Sequence, residues 1–198
     1  MILKRNTIEK AIQDSINTKK AILEDQSMIN QIEIVAFDIY EALKNGKKVV
    51  LAGNGGSASD SLHIAGELVG RFQKERNAWP AISLNANIAS LTAIANDYGY
   101  DEVFSRQVEA FVQDGDVFLG FTTSGNSENI INAVEKVKEK KAISVALTGK
   151  DGGKIKDIAD ICLIVPNDNT ARIQESHIMI GHIICGIVEE LMVGELSE

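Results

Sequence analysis

Five short apolar runs recur along the chain: KVVLA (48–52), AISL (81–84), VFLGF (117–121), ISVAL (143–147) and ICLIV (161–165). None alternates apolar with polar residues. A strand that is apolar on both faces has to be covered on both faces, and a parallel sheet sandwiched between helices meets that condition. Gly, Asp, Asn or Pro bounds each run, and helical periodicity fills the gaps, over about 58–70, 88–95, 101–112, 127–140, a short stretch near 153–158, and about 171–193 after Pro166 and the polar loop NDNT. Alternation of this kind predicts an α/β fold: a doubly wound five-stranded parallel sheet flanked by helices, with right-handed crossovers.

Two further helices are predicted ahead of the first strand. Ile8, Ile12, Ile16 and Leu23 fall near one stripe over 6–24, and Met28, Ile32, Val35, Ile39 and Leu43 repeat the pattern over 28–45, which stops at the helix-ending pair Asn45-Gly46. The sandwich does not require this pair. Residues 1–46 are therefore expected to cover the sheet or to form a subunit interface. With no internal repeat, low-complexity tract or linker, the 198 residues read as a single domain.

Composition removes several classes of function. Lys plus Arg is 20 and Asp plus Glu is 28, so the formal charge is 20 − 28 = −8. Such a chain has no overall attraction for nucleic acid or an anionic membrane, and any phosphate it binds must be held locally. Cys162 and Cys185 both lie in apolar runs, as buried free thiols do, and two cysteines make no disulfide framework. The N-terminus turns polar within a few residues, unlike a signal peptide, and no apolar run approaches the ~20 residues that span a bilayer. A cytoplasmic location is expected.

Ligands of an open parallel sheet sit beyond the carboxyl ends of its strands. Two strands end there in loops built for an anion. The first runs LAGNGGSASD into a helix: Gly53, Gly55 and Gly56 let the backbone turn sharply and approach a ligand, Ser57 adds a hydroxyl, and the helix start offers unpaired amides. The second runs GFTTSGNSENI and supplies Thr122, Thr123, Ser124 and Ser127, with Ser127 or Asn126 able to cap the next helix. Neither loop contains GxxxxGK[ST] or GxGxxG. Hydroxyls without a lysine suit a phosphate monoester on a small molecule.

The helix after the first loop carries His63 and Glu67, four apart and so on one face. The last helix carries Gln174 and His182 in otherwise apolar surroundings, where a polar side chain must find a partner. If the two helices pack side by side, two imidazoles, a carboxylate and an amide oxygen can converge as a zinc or similar divalent site. His177 is set aside as a helix-surface or structural residue.

The segments GNGGSASDSLHIAGELVGRF, AIAND, TTSGNS, ALTGKDGG and ARIQESHIMIGHI, taken in order, resemble the sugar isomerase (SIS) domain family, most closely its phosphoheptose isomerase branch. The resemblance covers nearly the whole chain. It implies an aldose–ketose isomerase that converts sedoheptulose 7-phosphate to D-glycero-D-manno-heptose 7-phosphate for ADP-heptose or GDP-heptose precursors of lipopolysaccharide or capsule. It further implies a homotetramer whose N-terminal helices pack between subunits, with the active site between them. A zinc ion is implied on His63, Glu67, Gln174 and His182, and an acid/base pair on Glu67 and His182. Phosphate contacts are implied on Ser57, Thr122, Thr123, Ser124 and Ser127, and sugar contacts on Asn54, Gly55, Gly56, Asn96, Asp97 and Gln174, with Arg71 near the site.

The chemistry suits the residues on its own terms. Moving a carbonyl from C2 to C1 takes a proton from the carbon beside it and returns it one atom away; a carboxylate can do this through an enediol while an imidazole serves the oxygens. Two positions depart from the isomerase pattern. Ala171 stands where an aspartate is frequent, and Gly66 stands before Glu67 where a second acid is frequent. LTAIANDYGYDEVFSRQV and TARIQ also resemble a non-catalytic SIS branch, tetramers that bind a replication initiator, which lack the glutamate and histidine found here at 67 and 182.

Overall fold

A computed structural model describes residues 3–194. Helices α1 (Leu3–Glu24) and α2 (Gln26–Lys44) come first. Then follow β1 (Val49–Gly53), α3 (Gly56–Val69), β2 (Ala81–Ser83), α4 (Ile88–Tyr98), α5 (Ser105–Phe111), β3 (Val117–Phe121), α6 (Glu128–Glu139), β4 (Ile143–Gly149), β5 (Ile161–Val165) and α7 (Thr170–Val193). Short 3-10 turns stand at Tyr100–Glu102 and Lys154–Asp157. The strands form one parallel sheet in the order β2-β1-β3-β4-β5.

The sheet is covered on both faces, as its unbroken apolar strands require. Val49, Leu51, Val117, Leu119, Phe121, Val145 and Leu147 point into a core shared with α2, α3 and α7. Their neighbours Val50, Ala52, Phe118 and Ala146 point the other way, against α5 and α6. Polar caps set the helix starts: Asp25 accepts the N–H of Ser27 and Met28, Asn87 that of Ser90, and Asn169 that of Ala171. Asn45 and Gly46 end α2 as expected, with Gly46 at φ +72°.

The two leading helices differ in burial. All five periodic residues of α2 are buried, so α2 is a sheet cover. On α1, by contrast, Ile8, Ile12, Ile16 and Leu23 are each more than half exposed. Helix α7 is long and apolar enough to cross a membrane by composition alone, contrary to the expectation that no run comes close. Its face of Ile173, Ile180, Ile184 and Val188 packs into the core beside α2 and α3, which explains the composition. Cys185 is buried and Cys162 partly so; both are free, and burial pushes the Cys185 thiol up to about 12.

His177 is fully buried, which settles it as structural rather than a surface residue. Its Nε2 lies 2.9 Å from the carbonyl of Thr148 at the end of β4, and donates to it. Burial lowers its pKa from 6.5 to about 4, with the Thr148 bond pulling the other way. Between those pH values the unfolded chain takes up a proton that the folded one refuses, so stability falls as pH drops from about 6.5 to 4, by up to ~3 kcal/mol from this group. Urea unfolding near pH 7 and near pH 4 should show His177→Asn losing less stability on acidification than the wild type; equal losses would refute the account.

Candidate active site

The sheet order places a switch point between β1 and β3. The chain leaves β1 toward α3 on one face and leaves β3 toward α6 on the other, which opens a crevice above the strand ends. Both hydroxyl-rich loops border it. Asn54 and Asn129 bind each other across it through their amides, at 2.9 and 3.0 Å, and the Tyr100 hydroxyl donates to Asn54 Oδ1 at 3.0 Å. Asn85 clamps Gly53 at the end of β1, accepting its N–H at 3.1 Å and donating to its carbonyl at 3.0 Å. Ser57 is buried in the first turn of α3, and Gly55 and Gly56 are exposed at its mouth.

In the second loop Thr122 and Ser127 pair through their hydroxyls at 3.0 Å. Ser127 occupies the N-cap position of α6 without a side-chain capping bond, so the capping role expected of it is not taken up and the first amides of α6 face the loop. Ser124 Oγ accepts the N–H of Asn126 at 3.2 Å, and Thr123 is half-buried beside it. A third loop, the ALTGKDGG segment, supports this one from behind. Ile155 N–H donates to the Gly125 carbonyl and Lys154 N–H to Asn126 Oδ1, both at 3.1 Å. Gly125 and Gly153 both have positive φ, and a Cβ on either would collide with the backbone of the opposing loop.

Helices α3 and α7 run side by side in the same direction: Gln174 lies over Gly56, Gly181 meets Ile64, and His182 meets His63. His63 Nε2 stands 2.9 Å from Glu67 Oε1 and 3.4 Å from His182 Nε2, with the two imidazoles edge to face at 4.9 Å. Glu67 and His182 are half-buried and His63 is half-exposed. One ligand atom from each of the three lies within 4.8 Å of the others. Converging imidazole lone pairs and a carboxylate oxygen suit a divalent cation better than they suit one another. Gln174 lies on the same helix pair, toward the loop. Its amide rests on Gly56, and its position on α7 is eight residues, about 12 Å of helix rise, before that of His182. The fold of one chain therefore brings His63, Glu67 and His182 together, with Gln174 two turns earlier on α7.

The other expected residues make no contact with the cluster among the described contacts. Asn96 and Asp97 are exposed on α4 and bonded to each other at 2.8 Å. Arg71 is exposed and pairs with Glu75 at 3.7 Å. Gly66 faces open space and Ala171 is exposed in the first turn of α7, so neither departure from the isomerase pattern fills a packing need.

Several residues escaped the sequence reading. Asp60, one turn before His63, has a buried carboxylate oxygen with no hydrogen-bond partner; burial raises its pKa to about 6, partly offset by His63. Its spacing to His63 was the available signal. Asn85, Asn129 and Tyr100 carried none, because their partners are distant in sequence.

Comparison with known proteins matches residues 12–149 to the SIS domain family. A phosphoheptose isomerase of Aneurinibacillus thermoaerophilus is 54% identical over 183 residues, covering 92% of each chain. That of Clostridium acetobutylicum is 52% identical over 191 residues, covering 96% of this chain and 97% of its own. The solved phosphoheptose isomerase of Neisseria gonorrhoeae superposes with a TM-score of 0.88 at 38% identity, over 94% of this chain and 98% of that one.

Contact between α3 and α7 sets the spacing of the imidazoles, and Gly181 permits it: a Cβ there would lie 2.6 Å from Ile64 Cδ1. Gly181→Ala should destabilise the protein by about 1–3 kcal/mol, seen as a fall of several degrees in the unfolding midpoint. Adding Ile64→Val should recover part of it, and a midpoint unmoved by Gly181→Ala would show that the helices are not in close contact.

Proposed function

The chain belongs to the SIS domain family, among its phosphoheptose isomerases, and is thus an isomerase; we propose that it interconverts sedoheptulose 7-phosphate and D-glycero-D-manno-heptose 7-phosphate. The carrying observation is the His63–Glu67–His182 cluster standing along α3 from a hydroxyl-lined crevice. Six residues of α3 separate Ser57 from His63, about 9 Å of helix, a span that an extended seven-carbon phosphate can bridge.

In this reading Ser57, Thr122, Thr123, Ser124 and Ser127, with the amides at the starts of α3 and α6, hold the phosphate. Asn54, Gly55, Gly56, Asn96, Asp97 and Gln174 meet the hydroxyls of the sugar. Glu67 takes the proton from C1 of the open-chain ketose and returns it to C2. His182 gives a proton to O2 and accepts the one from O1, so the enediol closes to the aldehyde with no net change in protons. Each correctly placed acid or base contributes about 10²–10⁴-fold.

The resemblance implies zinc, and the donor set fits it: two imidazole nitrogens and a carboxylate oxygen within 4.8 Å of one another. His63, Glu67 and His182 would hold the ion, and when bound it would polarise the carbonyl and favour the enediolate; a carboxylate on the ion is a weaker base, so Glu67 would have to leave it to take the proton. Gln174, whose amide rests on Gly56, is assigned to the sugar, and the resemblance also implies it as a further ligand of the ion.

Assembly as a homotetramer through the N-terminal helices is supported by the apolar stripe of α1 and by α4, which buries no residue in its own chain and exposes Ile88 and Tyr98. A helix short of internal packing gains stability from a neighbour. The overall negative charge accords with a cytoplasmic enzyme that meets its substrate free of nucleic acid and membrane.

Glu67→Gln and His182→Gln should each lower turnover at least about 100-fold with the assembly intact, in an NMR assay of product from sedoheptulose 7-phosphate; retained turnover in either would refute its role. Elemental analysis should find about one zinc per chain, and chelation should remove it; a metal-free active enzyme would leave the acid/base pair and discard the zinc.

A further inference from the structure

Two turns beyond His182 on α7, the carboxylate of Glu189 is almost wholly buried and accepts four hydrogen bonds. The backbone N–H groups of Phe72, Gln73 and Lys74 donate at 3.2, 2.8 and 2.8 Å, and Arg76 Nε at 3.0 Å. Burial pushes its pKa up, but these donors outweigh that and hold the carboxyl below the usual range. Arg76 is buried as well, with its guanidinium 3.5 Å from the Trp79 ring centroid. Its Nη2 donates to the Glu67 carbonyl at 2.8 Å, and its Nη1 to the carbonyls of Leu68 and Asn77 at 3.0 Å and of Gly70 at 3.4 Å. Glu67 and Leu68 lie in the last turn of α3, whose carbonyls have no helical partner. The helix carrying Glu67 is thus ended by a cation that a carboxylate on the His182 helix neutralises.

The segment folded around this pair carries Phe72. Its ring stacks on the His182 imidazole, with centroids 5.5 Å apart and planes 21° apart. It also lies against Gly186, one turn on, where a Cβ would sit 3.6 Å from the ring edge. His182 is held on one side by Phe72 and meets His63 on the other.

We infer that Phe72 is a positioning residue for His182, and that the Arg76–Glu189 pair is the latch that keeps it in place and fixes the end of the Glu67 helix. This rests on His182 acting in proton transfer as proposed above. An imidazole free to turn about its side-chain bonds loses alignment, and displacements near 1 Å cost on the order of 100-fold in rate.

The test compares Phe72→Leu with Phe72→Trp in the full-length protein, since Phe72 is half-buried and both replacements keep apolar cover. Phe72→Leu should lower kcat about 10–100-fold, with KM within about twofold and the unfolding midpoint unmoved; Phe72→Trp, which retains a flat ring, should restore most of the rate. Glu189→Gln should act like Phe72→Leu if it folds, and the Phe72 pair decides if it does not. In histidine-labelled protein, the proton NMR cross-peak between the His63 and His182 rings should be present in the wild type, lost in Phe72→Leu and kept in Phe72→Trp. The cross-peak reads ring orientation whether or not the protein turns over a heptose phosphate, so failure of the functional reading would show separately as wild-type inactivity. An unchanged kcat and cross-peak in Phe72→Leu, a rise in KM alone, or equal loss in both variants with a lower midpoint would overturn the inference.

Discussion

The side-by-side contact of α3 and α7 is the constraint on which the rest depends. Neither helix holds a complete site: α3 brings an imidazole and a carboxylate, and α7 brings a second imidazole more than a hundred residues later. They approach closely because Gly181 presents no side chain to Ile64. The hydrophobic core supplies the force, since Ile64, Leu68, Ile180, Ile184 and Val188 are all buried together against the sheet. Core packing therefore fixes the distance between groups that themselves contribute little to stability.

The crevice meets a different demand. A chain with a formal charge of −8 must hold a phosphate without a field that draws one in. In the proposed reading two helix starts and a set of hydroxyls provide short-range attraction instead. Such donors act only if the backbone holds them in place, and each loop is braced: Asn85 on Gly53, the Asn54–Asn129 pair across the gap, and the Gly152–Lys154 segment behind Ser124 and Gly125. Of these braces only Asn54 meets the sugar in the proposed reading; the others act through the loops they hold.

Legibility of the sequence followed the range of the interactions. The strands were readable because a two-sided apolar run is a local signature, and all five lie where the runs lie, within about two residues. The His63–Glu67 pair was readable because helical spacing is local too. Convergence with His182 needed the supposition that two helices pack together, and the structure places them so. Gln174 shows the limit. Being eight residues from His182 suggests a shared face, but the helix rises about 12 Å over those eight residues, and spacing alone does not reveal whether the amide serves the cluster or the loop. Arg76 and Glu189 left no trace as a pair. Each reads as a solvated charge on its own segment, and only the tertiary fold makes them a buried couple.

Burial along the helix pair is graded, and the gradient matches what an isomerase needs. At one end Arg76 and Glu189 are almost wholly buried, and breaking such a pair by removing one partner leaves an uncompensated charge, which costs about 3–5 kcal/mol. That end cannot shift cheaply. At the other, Gly55 and Gly56 are exposed, Gly55 adopts a positive φ, and the flexible amide of Gln174 is the neighbour. That end can adjust to an entering ligand through few bonds. Between them lies the His63–Glu67–His182 cluster: Phe72, beside the buried pair, touches His182 directly, while Gln174 stands two turns earlier on α7. Proton transfer tolerates little error in the position of its groups, whereas phosphate capture tolerates more because several hydroxyls share it. A helix pair fixed at one end and open at the other meets both conditions in a single chain.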